Sequence, residues 1–206
     1  MNAMKLLREE HRVINNTLTV FQSEVEKIKG MRRIDPVAIE MSIDFIRTYA
    51  DLAHHGKEEN IVFRELRKKS ISKEHLEMMN ELVEEHQYSR SIVGRWILAT
   101  ERYFAGVDTI QEIIGCLQEL ITFYPGHILK EDKHFFTPAA QYFLQEEHKK
   151  IIQEFEAYDE KILHWKYRKV ESTLEESLAG TRIFMCSDAD IPGYSSRLDY
   201  GQRSAE

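Results

Sequence analysis

Two stretches of ten residues hold most of the side chains that could do chemistry. The first is His54-His55-Gly56-Lys57-Glu58-Glu59-Asn60-Ile61-Val62-Phe63, with two imidazoles and two carboxylates inside six residues. On an α-helix, residues four apart lie about 40° from each other, so His54 and Glu58 project from one face. His55 and Glu59 form a second pair, rotated by about 100°. An imidazole and a carboxylate one turn apart can ligate one metal or reach a shared pair of metals. Alone the pairing says little, since His and Glu on a helix are ordinarily solvated. The chain makes the statement twice.

The second stretch is His127-Ile128-Leu129-Lys130-Glu131-Asp132-Lys133-His134-Phe135-Phe136, 73 positions after the first (54 to 127). Each reads His, three residues, Glu, a second acid, then Phe five residues after the first acid. Ahead of each stands another matched set, Glu9-Glu10-His11 and Glu84-Glu85-His86, 75 positions apart (11 to 86). The order EEH, HxxxE, EEH, HxxxE is an internal repeat of two helical hairpins. A solvated surface has no reason to repeat histidine in register. A metal site at the middle of a four-helix bundle does, because every helix must deliver its ligand at the same height.

The elements that position these residues are legible from hydrophobic spacing. A first helix runs from about Asn2 to Lys29 on Leu7, Ile14, Leu18, Phe21, Val25 and Ile28, with Gly30 ending it. Asp35-Pro36 starts a second, which carries Val37, Met41, Phe45, Tyr49, Leu52 and the His54 stretch to near Lys68-Lys69. Ser70 or Ser72 caps a third, through Leu82, His86, Val93 and Ile97 to about Phe104. Asp108-Thr109-Ile110-Gln111 reads as a capping box for the fourth. Pro125-Gly126, just before His127, marks either a helix boundary or a kink that aims His127 and Glu131 inward. Thr137-Pro138 starts a further helix reaching Leu178, which packs on the outside or mediates self-association as a homodimer. The expected architecture is all-α: an antiparallel up-down four-helix bundle over residues 1–138, an additional C-terminal helix over 139–179, and an irregular tail over 180–206.

Composition narrows the partners. Nine Gly and four Pro are too few for a turn-rich β fold. A net charge of −7 offers no basic surface for nucleic acid. Cys116 and Cys186 form neither a disulfide framework nor a CxxC metal motif. No apolar run approaches the roughly 18 residues of a membrane span, and the N-terminus is charged where a signal peptide is apolar. A cytoplasmic protein is the expectation.

The ordered set His11, His54-x-x-x-Glu58, His86, His127-x-x-x-Glu131 resembles the hemerythrin-like, HHE cation-binding family, and Glu85-His86-Gln87-Tyr88-Ser89-Arg90 is similar to its third-helix EH…R pattern. The likeness covers roughly residues 1–170. It implies two Fe ions in a bridged non-haem centre, with His11, His54, His86 and His127 as terminal ligands and Glu58 and Glu131 as bridges. Oxygen-carrying hemerythrins have a fifth histidine one turn after the third-helix ligand, where this chain has Arg90. They also place the last carboxylate five residues after its histidine, which leaves Asp132 open as an alternative to Glu131. A site with four histidines is more open, which favours binding of O2, NO or peroxide for sensing, redox work or iron handling over reversible oxygen carriage.

His55 and Glu59 would replace His54 and Glu58 only if the helix turned by one residue. His75, His134, His148 and His164 read as surface, bundle-end or packing histidines. Two other readings compete. A ferritin-like di-iron oxidase needs paired ExxH motifs, and only Glu131-Asp132-Lys133-His134 fits. A metal-free helical interaction protein would carry its histidines incidentally.

Overall fold

The computed structural model describes residues 2–178. The chain forms five helices: α1 (Ala3–Met31), α2 (residues 36–66), α3 (Lys73–Phe104), α4 (residues 110–139) and α5 (Gln145–Leu178). The expected irregular segment, 180–206, lies outside the described residues. Residues up to Asp159 form one compact unit, and a second begins at Glu160.

Helices α1 to α4 run up, down, up and down, with α4 packed along α1 and α3 and with α2 along the same two helices. Their starts follow local chemistry. The Asn2 side chain accepts from Met4 N–H, and that of Asp35 accepts from Val37 and Ala38 N–H ahead of Pro36. Ser72, the second of the two expected caps, accepts from His75 N–H.

Four sequence expectations are corrected. Gly30 does not end α1; the helix continues to Met31 and stops at Arg32, whose left-handed φ of 50° returns its N–H to the Ile28 carbonyl. The capping box at Asp108 does not form. Thr109 is the cap residue, but its hydroxyl donates instead to the Ala99 carbonyl at 2.6 Å, tying α4 to the end of α3. Pro125 is not a boundary, since it lies inside the helix Ile110–Lys130. The fifth helix begins at Gln145 rather than Thr137, after a 3-10 turn at Ala140–Tyr142; the Glu147 side chain accepts from Leu144 N–H to start it.

The bundle holds two apolar clusters with a polar layer between them. One gathers Ile14, Phe21, Ala50, Ile92, Trp96, Leu120 and Tyr124, the other Leu7, Ile61, Phe63, Leu82, Phe135 and Phe136. Along each helix the chain passes from one cluster to the other within about two or three turns, and one turn of that passage faces the polar layer. That turn carries His11 on α1, His54 to Glu58 on α2, His86 on α3 and His127 to Glu131 on α4.

The second half of α2 and the equivalent part of α4 are not ideal α-helix. Phe45–His55, Glu58–Phe63 and Glu131–Phe135 take the wider π form, with i→i+5 bonding. A wider turn holds more residues, so consecutive side chains diverge by less than the usual ~100°. Five consecutive residues of α2, His54 to Glu58, are buried as a result.

Candidate metal centre

All six residues singled out by the repeat lie in the polar layer, and all are buried: His11, His54, Glu58, His86, His127 and Glu131. They fall into two groups whose potential ligand atoms lie within 4.8 Å of one another. His11, His54, Glu58 and Glu131 make one; His86 and His127 belong to the other, with His55 as its third member. Glu131 faces this interior, whereas Asp132 lies outside it on the far nitrogen of His11. His55 is the residue that sequence reasoning misplaced. Regular α-helical geometry makes it an alternative to His54; the π-type backbone buries both.

Each imidazole is held by its outer nitrogen. Nδ1 of His11 donates to Asp132 at 2.9 Å, that of His54 to Glu10 at 2.9 Å, that of His86 to Glu59 at 2.7 Å and that of His127 to Glu85 at 2.8 Å. His55 follows with Asp51 at 3.3 Å. Ionised carboxylates only accept, so these bonds place a proton on each Nδ1 and turn Nε2 inward, where a cation can take its lone pair.

The pattern explains the repeat more fully than ligand spacing alone. In each EEH set the acid before the histidine holds the histidine of the next helix: Glu10 for His54 and Glu85 for His127. In each HxxxE set the acid after the inward Glu does the same for a neighbour: Glu59 for His86 and Asp132 for His11. The two Phe residues at plus five also correspond, with Phe63 stacked on His86 and Phe136 on His11.

Cations in turn hold the acids. Lys57 bonds Glu10, Lys130 bonds Glu85, and Arg90 donates to both Glu59 and Asp51, at 2.8 Å each. Arg8 donates to the Asp132 carbonyl at 2.9 Å. Arg90 thus stands where the oxygen carriers have a ligand histidine, and here it organises the carboxylates behind His86 and His55. The signal for these residues was in the sequence, as Lys57-Glu58-Glu59 and Lys130-Glu131-Asp132, but cation and acid next to each other on a surface helix are too common to stand out.

Electrostatics suit the interior to a cation. Among the described residues, Nε2 of His11, His54, His55 and His127, both oxygens of Glu58 and Oε2 of Glu131 are buried without a hydrogen-bond partner. Such atoms are costly unless something else satisfies them. Burial and the adjacent Glu131 drive the Glu58 carboxyl well above its ordinary value. Burial would raise Glu131 too, but His127, His11 and His86 hold it well below. Without a cation the pair therefore resists holding two negative charges side by side. Burial pushes His54 down to about 4 and His55 well below the ordinary imidazole range, so both present free lone pairs at neutral pH. Burial also opposes charge on His11, but Asp132 and Glu131 outweigh it and raise His11 to about 9. Inward lone pairs, two central carboxylates and an outer ring of hydrogen-bonded acids fit metal ions.

The remaining histidines stand apart. His75 is buried, not on the surface, with Nε2 donating to the Phe135 carbonyl at 3.1 Å and its ring against Phe135 and Tyr142. His148 accepts from Ala3 N–H and donates to the Ala140 carbonyl. His134 is exposed, which removes the one full ExxH motif from the interior. Among the described residues, no helix is long and apolar enough to cross a membrane.

No curated protein and no solved structure matches the chain. The hemerythrin HHE cation-binding domain matches over residues 2–139, from the start of α1 to the end of α4. With the four-helix bundle and its two clusters of inward His and Glu, this places the chain in the hemerythrin HHE cation-binding family.

Proposed function

We propose that the chain is a non-haem di-iron protein that binds O2, NO or peroxide for sensing, redox work or iron handling. The observation that supports it is the set of buried, inward-facing atoms without partners on His11, His54, His55, His127, Glu58 and Glu131. In this reading His11 and His54 would hold one iron and His86 and His127 the other, Glu58 and Glu131 would be the carboxylates shared between them, and His55 would add a fifth imidazole on the side of His86. Imidazole with carboxylate suits both Fe(II) and Fe(III). When bound, the pair of irons supplies the redox-active position at which a small oxygen or nitrogen ligand attaches. The protein's share is to fix each ring through its Nδ1 carboxylate, to offset metal charge with Glu58 and Glu131, and to keep bulk water out with the apolar clusters on either side.

The metal-free and ferritin-like readings separate from this one by substitution. His86→Ala lowers iron per chain, while His75→Ala and His148→Ala leave it unchanged. The latter two cost about 1–3 kcal/mol of stability through unpaired backbone groups. Iron analysis after loading under reducing, oxygen-free conditions makes the comparison. Equal loss in all three variants would remove the assignment.

A further inference from the structure

The two halves of the bundle place a lysine alike before each central Glu, but differ in what lies behind it, because α5 crosses the back of α2. Lys57 and Lys130 hold equivalent positions, each just before a central Glu, and each bonds the acid that orients a histidine. The second partner of Lys130 is Glu81 on α3, and its side chain is 25% exposed. That of Lys57 is Asp159 on α5, at 2.9 Å; here the Lys57 side chain is 3% exposed and that of Asp159 48%. Phe155, also on α5, lies under the Lys57 ammonium at 5.8 Å from the ring centre.

The backbone is shaped for this crossing. Gly56 sits between His55 and Lys57 on the buried side of α2, and a Cβ there would collide with the Tyr158 hydroxyl. Tyr158 therefore lies directly on the helix at the turn that carries His54 and His55, and its hydroxyl accepts from Asn60 at 3.2 Å. A chain of contacts runs inward from there: Asp159 to Lys57, Lys57 to Glu10, Glu10 to His54. All but Asp159 belong to the matched family domain; Asp159 lies on a helix beyond it.

We propose that Asp159, seated by Tyr158 against Gly56, is a positioning residue for His54, so that α5 tunes the metal held by His11 and His54 and not the one held by His86 and His127. This rests on the di-iron reading above. Asp159 takes up part of the Lys57 charge. With Asp159 neutral, Lys57 bonds Glu10 alone and draws its negative charge away from the His54 Nδ1–H. His54 Nε2 then becomes a poorer donor. Outer hydrogen-bond partners of this kind change metal affinity by about 10–100-fold, and a partner one step further out belongs at the low end.

The test uses the full chain with Asp159→Asn, which keeps the shape and removes the charge, Asp159→Glu, which restores it, and Glu81→Gln on the other half. Iron release to a chelator is followed in each. Asp159→Asn should release one of the two irons about tenfold faster and leave the other unchanged. Asp159→Glu should return to the wild-type course. Glu81→Gln should stay within about threefold, because solvent already screens Lys130. Nitrogen NMR of the metal-free chain gives a second readout that a general loss of stability does not move: the Nε2–H form of His54 grows in Asp159→Asn. Equal acceleration of both irons, no acceleration, or an unchanged His54 tautomer would overturn the proposal. A wild-type chain that takes up no iron defeats the di-iron reading instead, and the metal-free NMR comparison then decides the Asp159 relay alone.

Discussion

Glu58 is the residue whose burial makes least sense without a cation. Both of its oxygens are enclosed without partners, and Glu131 stands beside it. Two carboxylates so placed destabilise the metal-free fold, so Glu58→Met should raise the metal-free unfolding free energy by about 1–4 kcal/mol while abolishing the centre. Chemical denaturation of the metal-free variant, together with metal analysis, reads both effects; a less stable metal-free variant would contradict the account. The six repeat residues were legible because the helical period and their constant offsets specify one face. His55 was not, because a helix of about 3.6 residues per turn would set it about 100° from His54, whereas the backbone there has more residues per turn. The outer acids were half visible. Of each Glu-Glu pair, only Glu10 and Glu85 reach a histidine, while Glu9 and Glu84 face solvent.

At the scale of the element, the informative part is α2, where a glycine and π-type turns coincide with the site. Glycine inside a helix normally costs roughly 0.5–1 kcal/mol relative to alanine. Gly115 on α4 is of this kind, with open space around it, so Gly115→Ala should stabilise by that amount. Gly56→Ala should do the reverse. Tyr158 must shift or α5 must lift, at a cost of about 1–3 kcal/mol that exceeds the gain in helix propensity. Denaturant midpoints of the two variants check the opposite signs, and a stabilised Gly56→Ala would show that α5 does not press on α2 as described. Helix order and approximate extents could be read from apolar spacing and caps. Ends could not. Arg32 and Thr109 are decided by where a free carbonyl happens to lie, at Ile28 and Ala99, and no local pattern encodes that.

For the bundle as a whole, the arrangement is a polar layer clamped between two apolar clusters and ringed by carboxylate–cation pairs, with the part of the fifth helix up to Asp159 laid against one side. The alternation was readable from sequence, since every helix interrupts its apolar stripe at the same height. The placement of α5 was not, because it is set by contacts scattered over the other helices: Ile151 and Phe155 in the second apolar cluster, Glu154 on Arg64, Tyr158 against Gly56 and Asp159 on Lys57. Everything turns on what fills the layer. The most direct measurement is iron per chain with the visible spectrum, on protein loaded and reduced without oxygen and then exposed to air. The account expects about two irons per chain and charge-transfer bands that appear on exposure. Zinc, or no metal, in protein produced with ample iron would contradict it.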